Sequence, residues 1–442
     1  MIERIFKLSD NGTTVRREIF GGITTFVTMA YIIFVQPVVM SAAGIDMQAA
    51  MVATCVSSAL ATFLMALLAN YPVALAPAMG HNFFFTFTVV LTLGYTWQQA
   101  LGAVFLSGAL FILLSTVGLR ERLLTAVPAT LKHAIAVGIG LLITMVGMEW
   151  SGLVVANKDT LVSMGKLNST PVLLSLFGLA VMSLLLALRV RAAILIGIGA
   201  TLVVSLFIGL TKFQGIVSGV PSIRPSLFQL DILGALKGGM FTVIFVFFFL
   251  DLFDTVGTLI GVSQEAGFLK PDGSLPRARQ ALLSDAGGTV IGALLGTSTV
   301  TSYVESAAGV SAGARTGLAS MVTGALLLLS LFFAPLVKMI GGGIQQPGGL
   351  TLYPIIAPAL IIVGCYLLRT IKNIQWDDFA DAIPAFLTIM IMPLTFSITE
   401  GIAFGFISYT ALKAVQGKIR EVPILIWVFA VLFVARYVFL VA

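Results

Sequence analysis

The segment that decides the fold is Phe245-Val-Phe-Phe-Phe-Leu-Asp-Leu-Phe-Asp-Thr-Val-Gly-Thr-Leu-Ile260, an apolar run that two acids interrupt. An ionisable side chain at membrane depth is costly, and by default it marks a pathway for a substrate or a proton. Asp254 is one such acid, and Glu305 in Thr301-Ser-Tyr-Val-Glu-Ser-Ala-Ala-Gly309 is another. Asp251 lies one helical turn before Asp254. These acids indicate passage of something polar across a membrane, and buried, neutralised structural acids are the alternative.

The composition is that of a polytopic α-helical membrane protein. Apolar residues make up 58% of the 442 residues and charged residues 10%, whereas a soluble chain carries about 25% charged residues. Apolar runs recur from end to end, and each can span a hydrocarbon core about 30 Å thick. The charged opening segment 1–18 has no apolar centre, so we expect no cleavable signal and insertion through the first span.

Other residue types argue against several classes of protein. Cys55 and Cys365 lie in separate apolar spans, which fits neither a disulfide framework nor a metal site. The net charge of +6 comes from basic residues scattered over short loops, so we expect no nucleic-acid partner. His81 and His133 are far apart and no HExxH motif is present, which disfavours an intramembrane enzyme. We expect no cofactor and no metal.

Hydropathy predicts fourteen spans in two sets of seven. The first set lies near 20–43, 50–69, 76–93, 98–117, 130–150, 171–188 and 192–212, and the second near 236–264, 281–296, 297–316, 317–337, 350–369, 379–398 and 400–416. A further apolar stretch, 422–441, either spans the membrane or lies at its interface. Pro77-Ala-Met-Gly-His-Asn82 in span three corresponds in position to Thr299-Val-Thr-Ser302 in span ten. Because seven is odd, the two sets must insert in opposite orientations, so we predict an inverted repeat.

The loop charges support this topology. Basic residues precede span one, lie between spans four and five and between six and seven, and follow spans eight, ten, twelve and fourteen. Lys158, Lys166 and Lys338 are the main exceptions. Because positively charged loops stay in the cytoplasm, we expect a cytoplasmic N-terminus.

Two predicted spans are interrupted. Val73-Ala-Leu-Ala-Pro-Ala-Met-Gly80 contains proline and glycine, and Gly296-Thr-Ser-Thr-Val-Thr-Ser302 is β-branched and hydroxylated. We expect each to form a short extended piece followed by a half-helix, at 79–92 and 303–316. Non-helical backbone at membrane depth is tolerated where it is buried in protein or lines a polar cavity. Such pieces are typical of transporter substrate sites, and simple kinks without a ligand are the alternative.

The polar residues near the two predicted extended pieces suit a flat heterocyclic ligand. Carboxylates can accept ring N–H groups, and aromatic side chains can cover a planar ring. A sugar would require more Asn, Gln and Trp, and an inorganic anion would require Arg or Lys, which these segments lack. The candidate substrate contacts are Thr28, Asn82, Phe83, Phe253, Asp254, Thr299, Val300, Thr301, Ser302 and Glu305.

Several motifs resemble signatures of the nucleobase–ascorbate transporter superfamily. They are Val73-Ala-Leu-Ala-Pro-Ala-Met-Gly-His-Asn82, Asp251-Leu-Phe-Asp-Thr-Val-Gly-Thr-Leu259 and Tyr303-Val-Glu-Ser-Ala-Ala-Gly309, and further matches are Ala156-Asn-Lys-Asp-Thr-Leu161, Gly313-Ala-Arg-Thr-Gly-Leu318, Trp376-Asp-Asp-Phe379 and Phe396-Ser-Ile-Thr-Glu-Gly-Ile402. The likeness covers nearly the whole chain. It is strongest to the AzgA-like purine branch, the bacterial hypoxanthine/guanine and adenine permeases.

The resemblance implies proton-coupled purine uptake at a bacterial inner (plasma) membrane. It implies a core domain (1–118 and 236–338), a gate domain (119–235 and 339–442), and a homodimer joined through the gate domains. By motif, Asp254 matches the acid that holds the base, Glu305 matches the acid of span ten, and Asn82 matches the span-three residue needed for purine transport. His81 departs from the family, whose members have an apolar residue there.

A mechanism follows as a hypothesis. The purine stacks near phenylalanines while Asp254 and Glu305 accept its ring N–H groups, and a proton enters with it because two unpaired carboxylates are costly in the bilayer. The candidate proton-coupling residues are Asp251, Asp254, Glu305 and His81, with Glu305 preferred. The core would then slide against the gate, as in an elevator. An adenine-preferring symporter and a passive nucleobase channel remain alternatives.

Overall fold

A computed structural model of the protein describes residues 2–117, 127–237, 240–269, 275–346 and 351–439. The predicted domain boundary at 118/119 lies outside the described residues, as do parts of the predicted spans 236–264, 350–369 and 422–441.

The described residues are mostly helical. The helices are α1 (Ile2–Phe6), α2 (Val15–Met29), α3 (Ile32–Ala42), α4 (Met47–Leu64), α5 (Met79–Phe83), α6 (Trp97–Val117), α7 (Ala129–Ser151), α8 (Thr170–Ala187), α9 (Ala193–Phe207), α10 (Ile232–Ala235), α11 (Phe241–Ala266), α12 (Ala278–Leu295), α13 (Ser306–Ser311), α14 (Gly317–Leu329), α15 (Ala334–Gly341), α16 (Ala357–Leu367), α17 (Phe379–Thr395), α18 (Ile398–Val415) and α19 (Ile424–Phe439). Wider π-helical turns follow α4 (Met65–Ala69) and α5 (Phe84–Thr92), and tighter 3₁₀ turns lie at Ser330–Phe333, Leu368–Asn373 and Ile419–Glu421.

Three two-stranded antiparallel pairs complete the described structure. The strands are β1 (Leu75–Pro77), β2 (Val154–Asn157), β3 (Leu161–Met164), β4 (Val300–Ser302), β5 (Ile344–Gln345) and β6 (Thr351–Leu352). β2 pairs with β3 and β5 with β6 as local hairpins, whereas β1 pairs with β4 from the other half of the chain.

The chain is a multi-pass membrane protein. Seven helical segments among the described residues are long and apolar enough to cross a bilayer: Val15–Ala42, Met47–Ala69, Trp97–Thr116, Ala129–Ser151, Thr170–Ala187, Phe241–Ala266 and Gly317–Gly341. Three shorter apolar helices are Ala193–Phe207, Phe379–Thr395 and Ile424–Val438. The count of fourteen spans stays a prediction.

The interrupted spans differ in detail from the expectation. Both extended pieces are present, but the half-helix expected at 303–316 is helical only over Ser306–Ser311. Gly313 has φ +110°, a left-handed conformation that ends the helix. The half-helix expected at 79–92 is α-helical only over Met79–Phe83 and continues as π-helix.

The first predicted span, 20–43, is also divided. Helix α2 ends at Met29 and α3 begins at Ile32. Between them, Ile33 N–H donates to the Ala30 carbonyl at 3.1 Å and Phe34 N–H to the Tyr31 carbonyl at 3.0 Å. These i→i−3 bonds form one tightened turn where the two helices meet.

Contacts divide the chain into two compact units. The first contains Met1–Thr116 and Glu149–Ala359. Its helices approach closely where small residues meet: a Cβ added at Gly309 of α13 would overlap the Thr25 hydroxyl of α2. Such contacts fix the position of α13, the helix that follows β4.

The second unit contains Val117–Met148 and Leu360–Ala442. Helices α17 and α18 pack along each other, with Gly401 and Gly405 of α18 against Thr388 and Met392 of α17. Arg436 of the C-terminal helix α19 forms an ion pair of 2.9 Å with Glu400, which anchors that helix to α18.

Candidate functional site

The two interrupted segments meet within the first unit, where β1 and β4 form a short antiparallel pair that we call the crossing. Pro77 of β1 lies opposite Val300 of β4. The pairing continues beyond the strands, since the Ala78 N–H donates to the Thr299 carbonyl at 3.0 Å. Buried backbone groups must be hydrogen-bonded, and this pairing uses groups that a helix would otherwise have used internally.

Side chains satisfy other backbone groups of the crossing. The Thr62 hydroxyl accepts from the Leu75 N–H at 2.9 Å. The Tyr303 hydroxyl donates to the Pro77 carbonyl at 2.6 Å, and the Ser306 hydroxyl accepts from the Ala74 N–H at 3.0 Å. The crossing is therefore a bonded, buried element that holds Asn82 and Glu305 close to its two ends.

The second half of helix α11 presents an exposed stripe made mainly of polar residues and glycines. The exposed positions on its second half are Asp254, Gly257, Ile260, Gly261, Gln264 and Glu265. A Cβ added at Gly257 or Gly261 would meet no atom within 4 Å. A surface that faces lipid is apolar, as the exposed Leu173, Phe177 and Leu184 of α8 are. A stripe of acid, amide and glycine is instead typical of a surface that lines water.

Glu305 lies at the start of α13, immediately after the crossing. It is half-buried, and its Oε1 accepts a hydrogen bond of 2.7 Å from the Tyr31 hydroxyl. Asp254 interacts electrostatically with Glu305 and with Asp285. The like charges of Asp254 on α11 and of Glu305 at the β4–α13 junction thus influence each other.

Asp251 does not lie on the exposed stripe of α11 with Asp254. It is fully buried and accepts from the Thr289 hydroxyl of α12 at 3.2 Å. The Thr255 hydroxyl lies between Asp251 at 3.4 Å and Asp285 at 2.7 Å. Asp251 therefore belongs to a buried network behind the strands.

Asp285 is the centre of that network. It is fully buried on α12. Its Oδ1 accepts from the Thr301 hydroxyl at 3.2 Å, the Ser302 N–H at 2.9 Å and the Ser302 hydroxyl at 3.0 Å. The Thr301 and Thr255 hydroxyls are 2.7 Å apart. Asp285 thus links β4 to α11 through the turn that follows Asp254.

Asn82 lies in a second buried network on the other side of the crossing. Its Oδ1 accepts from the Ser298 hydroxyl. Gln36 of α3 donates from Nε2 to Thr297 Oγ1 at 2.9 Å and to Ser298 Oγ at 3.5 Å. All four side chains are fully buried, so three discontinuous segments meet here.

The other predicted residues have varied surroundings. The Thr28 hydroxyl bonds back to its own helix, at the Thr24 and Thr25 carbonyls. Phe83 is buried and stacks on Phe87, and Phe253 packs edge-on against Phe249. Their role in substrate binding stays a prediction.

Two predicted residues carry buried polar atoms without a partner among the described residues. His81 is 2% exposed, and neither of its ring nitrogens is hydrogen-bonded. The Thr299 hydroxyl is likewise buried and unbonded, although the Thr299 carbonyl is used in the crossing.

The sequence reasoning missed Asp285, Tyr31 and Gln36. Asp285 lies within predicted span 281–296, so the rule that singled out Asp254 applied to it equally. Gln36 and Tyr31 were polar side chains within predicted span 20–43. No local signal in the sequence shows which partner each would meet.

The arrangement supplies hydrogen-bond acceptors from carboxylates and donors from amide and hydroxyl groups. Among the described residues no group of three or more His, Cys, Asp or Glu side chains could hold a metal ion. A neutral, planar molecule with several N–H and C=O groups would match this chemistry.

Comparison with known proteins shows the family of this chain. Residues 16–404 match the family model Xan_ur_permease, whose description is "Permease family". A putative permease of Methanocaldococcus jannaschii, MJ0326, is 49% identical over 440 residues, covering 99% of this chain and 98% of that protein. The adenine permease AdeP of Escherichia coli is 42% identical, covering 100% and 96%. The guanine/hypoxanthine permease PbuG of Bacillus subtilis is 44% identical, covering 99% and 100%.

Solved structures with a similar fold are distant in sequence. The transmembrane domain of the cyanobacterial bicarbonate transporter BicA superposes with a TM-score of 0.63 at 16% identity, covering 87% of this chain and 97% of that chain. The murine anion transporter Slc26a9 in its inward-facing state superposes with a TM-score of 0.65 at 11% identity, covering 91% and 68%. At this identity the likeness concerns the fold alone.

Proposed function

We propose, from the premise that this chain belongs to the nucleobase–ascorbate transporter family, that it takes up purine nucleobases together with protons. Full-length relatives at 41–44% identity are an adenine or a guanine/hypoxanthine permease by name. Hypoxanthine and guanine are the favoured substrates. An adenine preference is the second candidate, since AdeP and PbuG are about equally similar to this chain.

The observation that carries the proposal is the placement of Asp254 and Glu305. Asp254 stands on the exposed stripe of α11, and Glu305 follows the crossing with the Tyr31 hydroxyl on one of its oxygens. A purine presents ring N–H donors along its edges, and two carboxyl groups from different segments can accept them. Asn82 adds an amide, and the backbone of Thr299 to Ser302 shapes the region between them.

Proton coupling follows from the charge of the site. The site holds two acids, so moving it across the bilayer with both ionised would be costly. A proton that enters with a neutral purine removes one of these charges. With a potential of 100 mV, each net positive charge carried inward adds about 2.3 kcal/mol of driving force. We assign Glu305 as the proton-linked group, with Asp254, Asp251 and His81 as the other candidates.

The proposed transport cycle is of the elevator type. The core, at 1–118 and 236–338, carries the site and moves against the gate, at 119–235 and 339–442. The proposed assembly is a homodimer joined through the gate domains, in a bacterial inner membrane with the N-terminus in the cytoplasm. The fold shared with BicA and Slc26a9 is compatible with this cycle.

Uptake of radiolabelled hypoxanthine by bacteria lacking their own purine transporters tests the function. We expect saturable uptake that a protonophore abolishes and that excess guanine inhibits. Stronger inhibition by adenine would favour the second candidate. Unsaturable uptake that ignores the proton gradient would favour a passive channel, and no purine uptake in cells containing the protein would reject the proposal.

Variants of the two acids test the site. Asp254→Asn and Glu305→Gln should each reduce uptake at least about tenfold, because each removes a charged partner worth about 1.5–3 kcal/mol. Glu149→Gln, at an exposed acid near the end of α7, is the matched control. Uptake by either site variant at the native rate and with the native pH response would reject that assignment.

A further inference from the structure

A fully buried chain of hydrogen bonds links Gln36, Ser298 and Asn82. Gln36 donates from Nε2 to Ser298 Oγ at 3.5 Å and to Thr297 Oγ1 at 2.9 Å. Ser298 Oγ in turn donates to Asn82 Oδ1. The side chains are 0% exposed, so solvent does not exchange freely with these bonds. The three partners come from α3, the segment before β4, and α5, and we call this chain the relay.

The orientation of the Gln36 amide in the structure gives the relay its direction. An amide nitrogen only donates, so Ser298 Oγ accepts from Gln36 and must direct its single hydrogen elsewhere. That hydrogen goes to Asn82 Oδ1. The carbonyl oxygen of Asn82 is thereby occupied, and its Nδ2 remains as a donor.

The Asn82 amide has one donor to spare. Its Nδ2 has two hydrogens, and one of them is directed to the Pro77 carbonyl at the long distance of 3.4 Å. The other hydrogen has no partner among the residues that the structure describes. Asn82 therefore offers an N–H group and not a carbonyl.

Unused hydrogen-bonding atoms beside the relay indicate that something polar enters this region. Gln36 Oε1 and Thr299 Oγ1 are buried and have no partner in the described part of the chain. Buried polar atoms are rarely left unpaired, and such exceptions mark ligand or water positions. Because Gln36 belongs to the relay and Thr299 follows Ser298 in the chain, these unpaired atoms lie in the same region as Asn82.

We propose that Gln36 is a specificity-determining positioning residue, which acts through Ser298 to make Asn82 present its N–H to the group on C6 of the purine. The inference rests on the proposed function and deepens it. Hypoxanthine and guanine carry an oxo acceptor on C6, whereas adenine carries an amino donor. A donor facing a donor leaves both unpaired, so the relay favours 6-oxopurines.

Competition assays on paired variants test the relay. The quantity measured is the ratio of the inhibition constants of adenine and hypoxanthine in hypoxanthine uptake. Gln36→Met removes the donor, and Ser298→Ala removes the hydroxyl that transmits its direction. Either change frees the Asn82 amide to rotate, so the ratio should fall about tenfold, the scale of one buried hydrogen bond. Ser298→Thr keeps a hydroxyl and should keep the native ratio.

Thr54→Val is the control, because it removes a buried hydroxyl that bonds only within α4, to the Ala50 carbonyl. Fluorescence-detected size exclusion shows which variants fold, and Ser298→Ala decides the question if Gln36→Met does not. A native ratio in folded, active Ser298→Ala would overturn the relay. A native preference for adenine would also overturn it while leaving purine transport intact, whereas no purine uptake by the native chain would overturn the proposed function itself.

Discussion

The hydroxyl of Tyr31 donates a hydrogen bond of 2.7 Å to Oε1 of Glu305, across 274 positions of sequence. Tyr31 lies in the break between α2 and α3, and Glu305 lies at the break before α13. Tyr31 is 3% exposed, so the bond forms with little competition from water. It joins the interrupted first span to the acid that we assign to proton coupling.

Tyr31→Phe should weaken purine binding. The change removes the hydroxyl and keeps the ring, so Glu305 loses a neutral donor while the packing is retained. A hydrogen bond to a charged group is worth about 1.5–3 kcal/mol, which predicts a rise in KM of about tenfold or more. KM for hypoxanthine uptake, followed across a range of pH, measures the effect. Tyr409→Phe, at a buried tyrosine of the second unit, should leave KM unchanged. Equal KM values in Tyr31→Phe and the native chain would contradict the prediction.

Cysteines on the exposed stripe of α11 should react with a membrane-impermeant maleimide. Gly257→Cys places its thiol where no atom lies within 4 Å of the added Cβ, and Ser263→Cys places it on the buried face of the same helix. The background is Cys365→Ser, since Cys365 is exposed and Cys55 is buried. We expect labelling at position 257 that excess purine slows, and none at 263. Equal labelling at the two positions would show that the stripe does not line water.

Asp285→Asn should destabilise the first unit and reduce transport. Asparagine keeps one oxygen to accept from the Ser302 N–H. Its N–H₂ group, however, faces the Thr255 hydroxyl, which donates to the carboxylate in the native chain. The expected loss is about 1–3 kcal/mol, seen as a lower Tm in detergent. Ser284→Ala, which removes a neighbouring hydroxyl bonded only to the Gln280 carbonyl, should change Tm much less. An unchanged Tm in Asp285→Asn would count against its role in linking β4 to α11.

Asp378 should stabilise the second unit in a pH-dependent way. The Ala380 N–H, then the Gln416 amide and Lys413, donate to its carboxylate and lower its pKa to about 2. Since the unfolded value is about 3.9, the contribution is present above that pH and is lost as the pH falls toward 2. Asp378→Asn should therefore lower Tm at neutral pH, and the difference from the native chain should shrink in acid.

The neighbouring variant Asp377→Asn, at an exposed acid, is the control for that measurement. It should show no difference in Tm at either pH. A Tm difference in Asp378→Asn that is the same at neutral and at acid pH would contradict the assigned cause.

Several features of this protein could be predicted from local sequence. Long apolar runs indicate a membrane protein built of helices. A run of that length can cross the bilayer as a helix, which satisfies its own backbone groups in lipid. The family was predicted from its motifs and is confirmed by the match over residues 16–404. Pro77 and Gly80 around Met79, and hydroxylated β-branched residues after Gly296, predicted the two extended pieces. Asp254 and Glu305 stood out because acids are rare in such runs.

Other features depend on contacts between distant segments. Local sequence does not specify that Pro77 lies opposite Val300, because strand register depends on how the flanking helices pack. The half-helix at 303–316 was predicted too long, because the left-handed turn at Gly313 depends on its surroundings. The half-helix at 79–92 has the predicted length but becomes π-helical after Phe83.

The sequence by itself determined that this chain crosses a membrane, that spans three and ten are interrupted, and that acids lie within its apolar runs. Only the tertiary structure decided what each of those acids meets: Tyr31 for Glu305, and a shared threonine between Asp251 and Asp285. The physical reason is that hydropathy and backbone preference act over one or two turns of chain. A hydrogen bond requires two groups within about 3 Å, and the rotation of each helix about its axis decides which groups come that close.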